Sequence, residues 1–148
     1  MEDKNNLDGG EIMVGIPSQF ARRPSTFHGS WCFHLPNLTL TTGDVLTNFT
    51  PGFAGSIVKA WLVVTTAVTS VTTANLAYNL EINALNIVGG VVTISTNAAV
   101  GTAVNGTVVT GSNNFDKDDT ISLEVVVTVA ATGGTVMLVV EYEGKILR

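Results

Sequence analysis

Two runs near the C-terminus alternate so strictly that they constrain the fold more than any other stretch of the chain. In residues 120–129, Ile121, Leu123, Val125, Val127 and Val129 alternate with Thr120, Ser122, Glu124, Val126 and Thr128. In residues 135–143, Val136, Leu138, Val140 and Tyr142 form the apolar set. Successive side chains of a strand point to opposite faces, so both runs read as strands with one face buried. If they form a hairpin around residues 130–133, opposed residues share a face, and an odd-numbered set must meet an even-numbered one. Val127 then faces Val136, Val125 faces Leu138, Leu123 faces Val140 and Ile121 faces Tyr142. The outer face sets Val126 against Met137 and Thr128 against Thr135, which is greasier than a solvated face should be. Something is expected to cover it, and Val126 and Met137 are candidate partner-binding residues.

The rest of the chain carries the same signature in shorter pieces. Trp31, Phe33 and Leu35 alternate with Ser30, Cys32 and His34 before Pro36 interrupts them. Residues 38–40 and 45–49 are shorter β candidates around Thr42-Gly43-Asp44. Ser56 to Thr66 follows, with faces Ile57, Lys59, Trp61, Val63 and Val58, Ala60, Leu62, Val64. Both faces are largely apolar, which predicts a central strand. Leu76, Tyr78, Leu80 and Ile82 mark a half-buried strand, and residues 91–95 another. Residues 102–110 are either a strand or, at Asn105-Gly106, a hairpin turn. Many short strands, frequent glycine and no amphipathic helix predict an all-β fold, an antiparallel β-sandwich of jelly-roll type, with other Greek-key or immunoglobulin-like arrangements behind it.

Residues 1–27 lack periodicity and contain Gly9-Gly10, Gly15, Pro17 and Pro24, so they read as an extended N-terminal arm ahead of a β-sandwich domain at 28–148. An arm of this length reaches on the order of 90 Å when extended. Ile12, Val14, Ile16 and Phe20 give it apolar anchors, and Arg22 and Arg23 an adjacent pair of positive charges. These six are further candidate partner-binding residues; a flexible tail is the bland alternative.

Composition narrows the partners. With 148 residues the chain suits one domain. It is 45% hydrophobic and only 13% charged, against about 25% charged in an average soluble domain. Such a surface predicts assembly, because uncharged area is covered between subunits. Between Glu81 and Asp116 there is no charged residue at all, which reads either as a subunit contact or as an exposed surface kept soluble by uncharged Thr and Asn. A net charge of -5 and a pI near 4.7 argue against nucleic acid or an anionic membrane as partner. No apolar run has the length of a membrane-crossing helix, and Met1 to Asn6 lacks the pattern of a secretory signal.

Chemistry has little to stand on. His28, Cys32 and His34 share parity and fall on one strand face, but one strand seldom closes a tetrahedral site, so no metal is assigned. Asp116-Lys117-Asp118-Asp119 gathers oxygen ligands without EF-hand spacing and reads as a turn. No nucleophile with a base in reach and no glycine-rich phosphate cradle is recognisable, so neither catalysis nor a cofactor is expected. Trp31, Trp61, Tyr78 and Tyr142 sit at strand-periodic positions, which points to core rather than to a sugar platform.

Residues 43–66, with Gly-Asp-Val-Leu-Thr-Asn-Phe-Thr-Pro and Gly-Ser-Ile-Val-Lys-Ala-Trp-Leu-Val-Val-Thr-Thr, followed by Asn79 to Asn83, Val88 to Val92 and Asp119 to Glu124, resemble the small β-sandwich decoration or cement proteins of tailed-bacteriophage heads. The resemblance spans about residues 43–142 and is one of texture. It implies a structural virion protein, a homo-oligomer and most simply a trimer, made in the host cytoplasm and seated on the major capsid protein at the outer capsid surface. It brings no catalytic residue. Phage fibre and baseplate modules share this texture, so a carbohydrate- or receptor-binding module is the alternative.

Overall fold

In the computed structural model, which describes residues 25–35, 42–68, 75–95, 97–129 and 133–146, the two alternating runs become strands of different sheets. In chain order the strands are β1 Ser25–Leu35, β2 Gly43–Phe49, β3 Ala54–Thr66, β4 Asn75–Ile82, β5 Leu85–Asn86, β6 Val92–Ser95, β7 Ala103–Asn105, β8 Asn114–Phe115, β9 Ile121–Val129 and β10 Thr135–Ile146. Sheet A has the order β1-β10-β3-β7, with β8 also on β3; sheet B has the order β2-β9-β4-β5, with β6 also on β4. Every pairing is antiparallel, and no helix occurs among the described residues. The first strand pairs with the last, the second with the next to last, and β3 with β7 and β8, as when one long hairpin is rolled up. That is the jelly-roll order of a β-sandwich.

The expected hairpin register is therefore wrong, although much of its inner face is right. β9 pairs with β2 and β4, and β10 with β1 and β3; they never pair with each other. Ile121, Leu123 and Val125 are nevertheless buried, as are Val136, Leu138 and Val140. The two sets line the inner faces of opposite sheets instead of neighbouring along a ladder. Their partners complete the core: Ile57, Ala60, Leu62 and Val64 from β3, and Leu76, Tyr78, Leu80 and Ile82 from β4. Burying each large aliphatic stabilises the fold by about 1.5–3 kcal/mol.

β3 is an inner strand, as its two apolar faces predict, but its parity changes partway. Tyr142 pairs with Ile57 and Glu141 with Lys59, so Val58 is an extra residue, a β-bulge. Ile57 thereby joins the inner set instead of sharing a face with Lys59, Trp61 and Val63. Residues 102–110 form neither a nine-residue strand nor an Asn-Gly hairpin. After β7 the chain leaves sheet A at Gly106, whose N–H donates to the Ala60 carbonyl (2.9 Å), and Thr107 then donates to Val91 (2.9 Å).

The domain begins earlier than expected, since Ser25, Thr26 and Phe27 belong to β1 and pair with Ile146, Lys145 and Gly144. Residues 38–40 lie outside the described residues. At this end of the sandwich Phe27, Trp31, Phe49, Phe53, Phe115 and Tyr142 form a ring cluster, with Trp31 stacked on Tyr142 at 4.3 Å and edge-on to Phe49 at 4.9 Å. Two glycines make room for it. A Cβ on Gly29 would strike the Tyr142 hydroxyl, and one on Gly144 would strike the Phe27 ring.

Candidate functional site

Because β3 and β10 are inner strands with apolar residues on both faces, their outward side chains make a surface that is not polar. Two cross-strand rows build it on sheet A. Cys32, Val139, Trp61 and Asn105 stand side by side across β1, β10, β3 and β7; beside them run His34, Met137, Val63 and Ala103. Trp61, Val63 and Met137 are half-buried, while Val139, at 7% exposure, is walled in by its neighbours. The next row is polar: Ser30, Glu141 and Lys59. The Lys59 ammonium lies 5.0 Å from the centre of the Trp61 ring, a cation–π contact that anchors the rim of the apolar rows.

The outer face of sheet B differs. Its facing pairs are Ala77 with Val126, Asn79 with Glu124 and Glu81 with Ser122. Glu81 and Ser122 are buried although they point away from the core, and the Ser122 hydroxyl donates to Glu81 Oε2 at 2.8 Å. Val126 is exposed there. So the expected neighbours Val126 and Met137 stand on the outer faces of opposite sheets, and Thr128 and Thr135 on strands of opposite sheets. The outer pairing fails because it rests on a hairpin of β9 and β10 that does not form. Ile12, Val14, Ile16, Phe20, Arg22 and Arg23 lie outside the described residues.

A second apolar surface comes from the charge-free segment. Leu85, Val88 and Val108 are strongly exposed, Val108 at 80%. Backbone bonds between 88–91 and 107–111 hold these loops together: Val88 to Gly111 (2.8 Å), Gly90 to Thr107 (2.9 Å) and Thr110 to Val88 (2.8 Å).

Polar chemistry is sparse. His28, Cys32 and His34 are all exposed on the outer face of β1, as their parity requires, and among the described residues no three His, Cys, Asp or Glu side chains gather to hold a metal. A shallow depression of about 400 Å³ opens beside the Val58 bulge, lined by His28, Gly29, Ser30, Glu141 and Tyr142. In the turn at residues 116–119 both oxygens of the Asp119 carboxylate are engaged internally. Asp119 accepts from the Asp116 backbone N–H and the Asn83 side-chain amide, each at 2.7 Å, and Asn83 Oδ1 accepts from the Thr120 N–H at 3.0 Å. The Asp116 N–H, then the Asn83 amide, holds the Asp119 carboxyl below the usual carboxylate range. Inside the core, burial pushes the Tyr78 hydroxyl well above the usual tyrosine range, and that hydroxyl has no hydrogen-bond partner among the described residues.

Of the four aromatics assigned to the core, Tyr78 is buried and Trp31 and Tyr142 join the ring cluster, but Trp61 faces outward. Lys59, two residues before it on the same face, was the available signal. Searched against models of known protein families and against curated proteins, the chain finds no match.

Proposed function

We propose that this chain is a capsid decoration, or cement, protein of a tailed bacteriophage, which binds the outer surface of the head and stabilises it by bridging subunits of the major capsid protein. The reading joins the resemblance in residues 43–142 to one observation, the apolar rows Trp61, Val63, Met137 and Val139 on the outside of a well-filled sandwich. A face of this kind is covered in the working assembly. The mechanism is mechanical: contacts made only with the assembled shell must break before it opens, so binding favours the closed state. Several copies, a trimer in the resemblance, raise the avidity of individually weak contacts. The arm adds Ile12, Val14, Ile16 and Phe20 as anchors to a neighbouring subunit, with Arg22 and Arg23 pairing its carboxylates. No catalytic residue, metal or cofactor enters this role.

The test uses phage shells stripped of decoration. Full-length protein is expected to bind them, Val63→Asp/Met137→Asp to lose at least tenfold in affinity, and the chain lacking residues 1–23 to bind markedly less at an unchanged melting temperature. Equal binding by all three overturns the reading. A specific observation favours a second one: Trp61, on the outside beside Lys59 and Asn105, is the kind of ring on which a sugar stacks. Under that reading the protein is the carbohydrate- or receptor-binding module of a phage fibre or baseplate. Saturable binding on a glycan array, abolished by Trp61→Ala, selects it.

A further inference from the structure

The sandwich has two pairs of sheet edges, and they are protected unequally. On sheet B, β2 is broken by two register shifts against β9, and β5 and β6 are short. On sheet A, β7 and β8 are 3 and 2 residues long. Short strands and bulges are the usual means of keeping an edge from pairing with another chain. β1 has neither. It runs 11 residues in unbroken register with β10 and contains no proline and no lysine, arginine, aspartate or glutamate. Among the described residues nothing pairs with its other side.

Its inward side chains are also incompletely covered. On β10 and β3 the inner residues Val136, Leu138, Val140, Leu62 and Val64 are buried, whereas on β1 only Leu35 is; Phe27, Trp31 and Phe33 are half-buried at the open side of the sandwich. An occupant must therefore supply a strand backbone and an apolar inner row at once.

We infer that the free edge of β1 pairs with β1 of a second copy of this chain, antiparallel about a two-fold axis through Ser30. The register follows from full overlap of Ser25–Leu35 with itself. Ser30 then faces Ser30 of the second copy, Phe33 faces its Phe27 and Trp31 its Gly29. The inner row becomes continuous across the axis, where the first copy's half-covered rings meet their equals. On the outer face Cys32 meets His28 and His34 meets Thr26, so no two formal charges are opposed. The strand is thus complementary to itself, and pairing about a two-fold axis uses up both edges and closes at two copies. Any threefold assembly on a particle would use other surfaces, such as the Leu85, Val88 and Val108 side. Because the contact needs no particle, its failure is separate from failure of shell binding.

Site-directed crosslinking of the full-length protein tests it. Directly opposed strand residues have Cα atoms about 4.5–5.5 Å apart, within the range a disulfide spans. In a Cys32→Ser background, Ser30→Cys is expected to give mostly covalent dimer on mild oxidation. Thr26→Cys in the same background, whose two copies would stand about 26 Å apart along the strands, is expected to give several-fold less. Both positions are exposed, so neither substitution disturbs the core. Unsubstituted protein, which removes any concern over folding, is expected to sediment at micromolar concentration with the mass of an even number of chains. Equal crosslinking at the two positions, or a mass of one or three chains, overturns the inference.

Discussion

Outward from β10 stand Met137, Val139 and Glu141; outward from β9, its counterpart in the other sheet, stand Ser122, Glu124 and Val126. Inward, the strands match, with Val136, Leu138 and Val140 against Ile121, Leu123 and Val125. Sheet A adds long strands, an edge strand β1 whose other side pairs with nothing among the described residues, and Trp61 and Val63 to the first pattern; sheet B adds a bulged edge and a buried Glu81–Ser122 pair to the second. A sandwich needs only its inner faces to fold. Under the proposed function, the apolar outer face of sheet A is the side that meets another molecule, and the polar outer face of sheet B is not.

The largest effect separates inside from outside on a single strand. Val125→Asp removes a fully buried aliphatic and places a charge among Tyr78, Leu123 and their neighbours, a loss of roughly 1.5–3 kcal/mol before the greater penalty of the unpaired charge. The variant is expected to be insoluble or unfolded by circular dichroism. Val126→Asp, one residue on, points outward and is expected to keep its melting temperature within a few degrees. Similar behaviour of the two would erase the distinction between faces.

A smaller effect separates the two outer faces. Ser122→Ala removes the hydrogen bond to buried Glu81 on sheet B and is expected to lower unfolding free energy by about 1–2 kcal/mol in urea. Ser30→Ala on the exposed outer face of sheet A is expected to be silent. If Ser30→Ala proves the costlier, the buried polar pair is not what distinguishes sheet B.

Within the core, Tyr78→Phe removes a buried hydroxyl that has no partner among the described residues. Because an unsatisfied polar group carries a desolvation penalty, the change is expected to be neutral or to stabilise by up to about 1 kcal/mol. A loss above about 1 kcal/mol would reveal a hydrogen bond to the Tyr78 hydroxyl.

The smallest effect is pH-dependent and belongs to the Asn83–Asp119 clasp. The folded Asp119 carboxyl titrates below the ordinary value, about 3.9. Its contribution is therefore fully present above that value and is lost as pH falls through the lower folded pKa. Asp119→Asn is expected to flatten the acid-side fall in melting temperature below about pH 4 while leaving the pH 5–8 region level. An unchanged acid limb would show that the clasp does not depend on the charge.

Alternation identifies the buried set of β4, Ile121, Leu123 and Val125 on β9, and Val136, Leu138 and Val140 on β10. It also placed Ile57 beside Trp61, because a bulge at Val58 leaves no trace in a pattern whose neighbours are apolar on both sides. Trp61 was assigned to the core for the same reason. The charge-free run contains the exposed Leu85, Val88 and Val108, but the edge position of β1 has no signal, since being an edge is not a property of the strand itself.

By itself, then, the sequence determined which side chains face inward along regular strands such as β4, because Cβ direction alternates along a single chain and needs no partner. Only the tertiary structure decided which strands are neighbours and which sheet each joins. Pairing relates distant segments, and the Val, Leu and Ile rows of β9 and β10 would fit a ladder between them as readily as a core shared across two sheets. Loop closure and the complete set of strands choose between these arrangements.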